Sequence, residues 1–285
     1  MRAKTLPLLT GLVLLTACSG GGETPASPAA APTSATPASP APSPSSSSPP
    51  PSSSSSRPPS TSAAPPIGSG KVVVLDPGHN GGNASHPGEI NRQVPAGRGQ
   101  TKPCNTTGTS TNAGYPEHAF TFAVAQEVGN ALAAKGIKVV YTRQNDSGVG
   151  PCVDERAKIG NDANADAVVS IHADGSTSPT AHGFHVAYSA PPLNAAQGEP
   201  SLKLARVMRD GIRDDGFPTS TYLGSAGLSP RNDLAGLNLS SRPSVLVECG
   251  NMRNADEASQ MSSAAGRAHY AQAIAKAIEA YLAGS

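Results

Sequence analysis

Apolar runs along this chain break off in a recurrent way. Residues 71–79 read Lys-Val-Val-Val-Leu-Asp-Pro-Gly-His. Branched side chains in unbroken succession suit a strand buried on both faces, and Asp-Pro-Gly stops it at once, leaving His79 just beyond its carboxyl end. Residues 167–174, Ala-Val-Val-Ser-Ile-His-Ala-Asp, deliver His172 in the same manner, and residues 244–250, Ser-Val-Leu-Val-Glu-Cys-Gly, deliver Glu248. In open α/β sheets, ligands bind outside the carboxyl ends of the strands. If these three strands run parallel in one sheet, two imidazoles and a carboxylate converge on one edge, which is a metal site in outline.

Helical periodicity fills the intervals. Tyr115-Pro116-Glu117 opens a predicted helix over 115–135 that Gly136 stops, with Phe120, Val124, Val128, Ala131 and Leu132 as its apolar stripe. Glu117 shares that stripe, and a carboxylate facing a core needs a cation or hydrogen-bond donors. His118, one residue on, faces elsewhere as a surface or packing residue. Shorter helices are predicted over 153–164, 201–214 and 264–282, and strands over 137–141 and 184–189, with a polar loop following Thr142-Arg143. The alternation predicts a single α/β domain: an open, mainly parallel sheet with helices on both faces. Residues 80–114 show neither period and read as a long loop. His86, His182, His185 and His269 are taken as solvated or hydrogen-bonded side chains, with His182 and His185 placed where substrate contact is open to them.

Composition divides the chain. Arg2 and Lys4 precede an apolar segment over 6–15, too short for a permanent membrane span but suited to a secretory signal. Residues 19–69 are almost wholly Pro, Ser, Ala, Thr and Gly, with too little to bury to offset the entropy of ordering. Such a tether, at about 3.1 Å per residue, reaches ~150 Å at most. The boundaries expected are thus 1–18 for the leader, 19–69 for the tether and 70–285 for the folded domain. A net charge of +1 without any basic run argues against nucleic acid as a partner. In an exported chain, Cys104 and Cys152, both in loops, predict a disulfide, while Cys249 at the end of a buried strand reads as a small apolar residue.

Two resemblances sharpen this picture. Leu15-Thr16-Ala17-Cys18 resembles the lipobox of bacterial lipoproteins, which implies cleavage before Cys18, lipidation of its thiol and anchoring to the membrane outside the cytoplasm. The motifs ending in His79, His172 and Glu248, with Glu117 opening the helix after the first, together resemble the zinc-dependent N-acetylmuramoyl-L-alanine amidases of bacterial cell walls, the type-3 amidase family. That resemblance covers residues 71–282. It implies that His79, Glu117 and His172 bind Zn2+ and that Glu248 is the catalytic carboxylate. The implied reaction cleaves the amide between N-acetylmuramic acid and the L-alanine of the stem peptide, in peptidoglycan or muropeptide fragments of the cell envelope; a monomer is expected. Another zinc-dependent wall peptidase or a deacetylase would need the same metal chemistry, and a non-catalytic wall-binding lipoprotein is the alternative of a different class. Where the family commonly has Gly-Phe after the catalytic Glu, this chain has Cys249-Gly250-Asn251-Met252, from which a more polar groove floor is expected. The helix over 201–214 is the one segment left open as an autoinhibitory plug.

Overall fold

The computed structural model describes residues 70–284. The leader, Cys18 and the tether lie outside the described residues. The first strand, β1 (Val72–Pro77), is followed by a helical turn α1 (Pro87–Ile90) and a hairpin of β2 (Gln93–Gly97) and β3 (Gln100–Pro103). Then come α2 (Glu117–Ala134), β4 (Lys138–Tyr141), α3 (Val153–Asp162) and β5 (Ala167–Asp174). The chain continues through β6 (His185–Ser189), α4 (Glu199–Asp214), β7 (Leu228–Arg231) and α5 (Ala235–Asn238). It closes with β8 (Ser244–Asn251), α6 (Ala255–Ser262) and α7 (Ala264–Ala283). Among the described residues, no helix is long and apolar enough to cross a membrane.

Six strands form one sheet in the order β4-β1-β5-β8-β6-β7. β4, β1, β5 and β8 run parallel, and β6 pairs with β8 antiparallel and with β7 parallel. The three chemistry-bearing strands β1, β5 and β8 are consecutive neighbours at the centre. Their register sets Asp76 beside Ser170 and His172 beside Glu248.

Strand periodicity sorts the side chains onto two unequal faces. Val73, Leu75, Val169, Ile171, Val245 and Val247 meet Phe120 and Val124 of α2, Leu204 and Met208 of α4, and Ile274 and Ile278 of α7 in the main core. Each such side chain, fully buried, contributes roughly 1.5–3 kcal/mol. The opposite face carries only a small cluster of Val74, Ala165 and Val168, packed against Val140 and Ile159. α3 and α5 cover that face. Packing of α4 against α7 and β6 makes it a core layer, not a plug over the strand ends.

The fold is the one predicted, with local differences. Residues 80–114 are not structureless: they contain α1 and the β2–β3 hairpin. Val94 and Ala96 alternate inward on β2, but β3, Gln-Thr-Lys-Pro, carries no apolar alternation. Val94 packs with the Cys104–Cys152 disulfide, which is present as expected. At the hairpin tip, Arg98 has φ 55° and clamps the hairpin to the main sheet, donating from Nε to Asn238 Oδ1 at 3.2 Å and from Nη2 to Ser189 Oγ at 3.2 Å. The short β7 and α6 had no separate signal. Thr142 and Arg143, between β4 and the polar loop, are both buried.

Candidate metal centre

The turn after β1 is shaped by close approach. Gly78 faces the His172 ring so tightly that a Cβ there would lie 2.3 Å from its Cε1. The next residue, His79, has φ 59°, a left-handed conformation that is costly for a residue with a side chain. Two buried arginines hold it. Arg156 of α3 donates to the Pro77 carbonyl at 2.7 Å, the His79 carbonyl at 2.9 Å and Asp76 Oδ1 at 2.9 Å. Arg143 donates to the Pro77 carbonyl at 2.9 Å and to His118 O at 2.9 Å. Burial alone would raise the Asp76 carboxyl, but Arg156 and the Ser170 and Thr142 hydroxyls bring its pKa down to about 2. Burial pulls the Arg143 guanidinium down to about 10.

His79 Nδ1 lies 3.0 Å from the Thr106 carbonyl, an obligate acceptor, so Nδ1 carries the proton and Nε2 is left as the ligand atom. Nε2 is 3.2 Å from Glu117 Oε1, which is 3.1 Å from His172 Nδ1. Glu117 opens α2 and is 3% exposed. Its carboxylate accepts from Thr109 N at 2.9 Å and Ala173 N at 3.1 Å. Burial works against that charge, but the adjoining His79 and His172 rings win, and its pKa falls below the usual carboxylate range. Gly108, at φ +76°, lies over the cluster, and a Cβ there would come within 2.8 Å of Glu117 Oε2.

The ligand atoms of His79, Glu117 and His172 all lie within 4.8 Å of one another. Two imidazole nitrogens and one carboxylate oxygen form a donor set that fits zinc, with a fourth side facing a cavity of about 350 Å³. Glu248 lines the same cavity from the neighbouring strand but stands outside the three-residue cluster. Its Oε2 is buried without a hydrogen-bond partner. Burial, followed by the charges of Glu117 and Asp174, pushes its pKa well up.

Other expectations change at this level. His185 is not solvated but 1% exposed, because it points from β6 into the covered face of the sheet. His118 pairs with Asp146 at 2.7 Å, away from the cluster, and His182 stays at the surface, its Nδ1 2.9 Å from the Thr180 carbonyl. Cys249, Asn251 and Met252 are buried and none lines the cavity, so the departure after Glu248 alters the core and not the groove floor. Asp76, Arg143 and Arg156 escaped sequence reading because a charged residue in a turn or on a short helix has the pattern of a solvated one.

An open, mostly parallel sheet with two histidines and a glutamate gathered at its carboxyl edge defines an α/β protein with a three-residue candidate metal centre. Residues 73–280 match the family model for N-acetylmuramoyl-L-alanine amidase, and the chain belongs to that family. An N-acetylmuramoyl-L-alanine amidase of Mycobacterium tuberculosis is 51% identical over 215 residues, which are 75% of this chain and 88% of the relative. The crystal structure of an N-acetylmuramyl-L-alanine amidase from Mycobacterium smegmatis, 52% identical, matches with a TM-score of 0.74 over 76% of this chain and 99% of that one. An amidase of Nostoc punctiforme, 27% identical, matches with a TM-score of 0.57 over 75% of this chain and 99% of that one.

Proposed function

We propose that this protein is a zinc-dependent peptidoglycan hydrolase that cleaves the amide between N-acetylmuramic acid and the L-alanine of the stem peptide. The observation that carries this reading is the convergence of His79, Glu117 and His172 within 4.8 Å, beside Glu248, in a chain of the amidase family. His79, Glu117 and His172 would hold the ion. Zinc bound there supplies Lewis-acid chemistry, polarising a carbonyl and acidifying water.

The chain supplies the rest. Glu117 neutralises part of the ion's charge, and its two backbone donors fix the carboxylate. The Thr106 carbonyl fixes the tautomer and tilt of His79. Glu248 takes the proton of the attacking water and returns it to the alanine nitrogen as the C–N bond breaks. A carboxyl whose pKa burial raises holds a proton more readily than an ordinary carboxylate, which suits a group that must take up a proton and pass it on. In the same reading, residues 1–18 direct export, the lipid on Cys18 anchors the chain outside the cytoplasm, and residues 19–69 let a monomeric domain reach the wall.

Mass spectrometry of products from purified wall fragments tests this. Intact stem peptides with a free L-alanine amine are expected, disappearing with chelator and returning with zinc. Cuts within the stem, or deacetylated sugars with intact amides, would replace the amidase reading.

A further inference from the structure

Glu248 faces a second histidine, His185 of β6. β6 runs antiparallel to β8, with His185 the direct partner of Glu248 and Val186 the partner of Val247. Val186 and Val247 both enter the main core, so the alternation of side chains puts His185 and Glu248 together on the opposite face. Residues directly opposed in this way have Cβ atoms about 4.5–5.5 Å apart.

Both side chains carry an orphaned buried atom. His185 is 1% exposed and its Nδ1 has no hydrogen-bond partner, and the same is true of Glu248 Oε2. A buried polar atom left unpaired costs about 1–3 kcal/mol, and here two such atoms belong to facing residues. Glu248 lines the cavity, so with Oε2 turned inward it is Oε1 that is left for the reacting groups.

We propose that His185 is the positioning residue of Glu248: its imidazole satisfies the inner oxygen, Oε2, through a hydrogen bond or a single bridging water, and so presents Oε1 to the cavity. This rests on the reading of Glu248 as the proton carrier. The surroundings support it. Burial lowers the His185 pKa to about 4, with Asp174 opposing and Arg231 reinforcing the shift, so the ring is neutral at working pH and offers one donor and one acceptor. Tyr222 lies edge-on to the imidazole at a centroid distance of 6.5 Å, and its hydroxyl donates to Asp174 Oδ2 at 3.1 Å. Its one donor is therefore spent on Asp174.

The experiment compares His185→Phe and His185→Asn with the wild-type protein. In His185→Phe, kcat should fall about tenfold or more while KM and zinc content hold, and Tm should fall modestly because the buried Oε2 of Glu248 loses its partner. His185→Asn, which restores a hydrogen-bonding group near the position of Nδ1, should recover most of that loss. If the Phe variant does not fold, His185→Leu replaces it on the same terms. Unchanged kcat in the apolar variant, a rise in KM alone, or an Asn variant as slow as the apolar one would each overturn the proposal. An infrared readout is independent of the amidase reading: the carboxyl band of Glu248, assigned by its loss in Glu248→Gln, should shift in the apolar His185 variant. An unmoved band sinks the inference even if the amidase reading holds.

Discussion

At the scale of single residues, the two glutamates near the histidine pair are separated by what surrounds them. Glu117 accepts from two backbone amides and lies against two imidazoles, and its negative charge is stabilised. Glu248 has an unpartnered inner oxygen and a raised pKa. The expected outcome is a split. Glu117→Gln should lose zinc and turnover together, whereas Glu248→Gln should keep nearly full zinc and lose about 10²–10⁴-fold in turnover. Elemental analysis beside kinetics on both variants checks this, and exchanged results would exchange the roles.

At the scale of elements, the second face of the sheet is held by ions and a covalent link where the main face is held by apolar packing. Asp76 of β1 and Arg156 of α3 form a buried pair at 2.9 Å, and Arg156 also ties down the carbonyls of Pro77 and His79. Removing one partner leaves the other charge buried and uncompensated, so Asp76→Asn should cost about 3–5 kcal/mol at neutral pH by denaturant unfolding. The Asp76 pKa is depressed from 3.8 to about 2, so the stability it contributes is complete above the unfolded value and is lost as pH falls through this window. Wild-type stability should therefore decline between those two values by a component that Asp76→Asn lacks. The disulfide closes a loop with a sequence separation of 48 between Cys104 and Cys152 and packs against Val94 of the hairpin. In the chain-entropy model, a loop of this length contributes about 4 kcal/mol. Replacing both cysteines by Ala should lower stability toward that figure and loosen the hairpin first, which hydrogen exchange at Val94 and Ala96 would report.

At the scale of the whole molecule, the described residues contain one main core and a complete set of candidate site groups. A chain beginning near Ser69 should be folded, should bind zinc and should turn over wall fragments as the full chain does. Cys18→Ala in the full chain should release it from membranes into the soluble fraction. An unfolded truncated chain, seen by circular dichroism, would mean that residues before 70 supply part of the core.

The local pattern of the sequence by itself determined the α/β class, the helix that opens at Glu117, and the strand ends that deliver His79, His172 and Glu248, because periodicity and chain breaks are properties of neighbouring residues. The Cys104–Cys152 bond was legible for a similar reason, since only those two cysteines lie in loops of the domain. Tertiary structure decided the rest. Strand order made β1, β5 and β8 neighbours, and helix packing left the cavity on the face that His172, Glu248 and His185 share. Asp76, Arg143 and Arg156 became buried frame residues only because partners distant in sequence arrived to satisfy them. A charge or an imidazole is priced by the groups that surround it in space, and that neighbourhood is set by register and layer packing, which no local stretch of sequence contains.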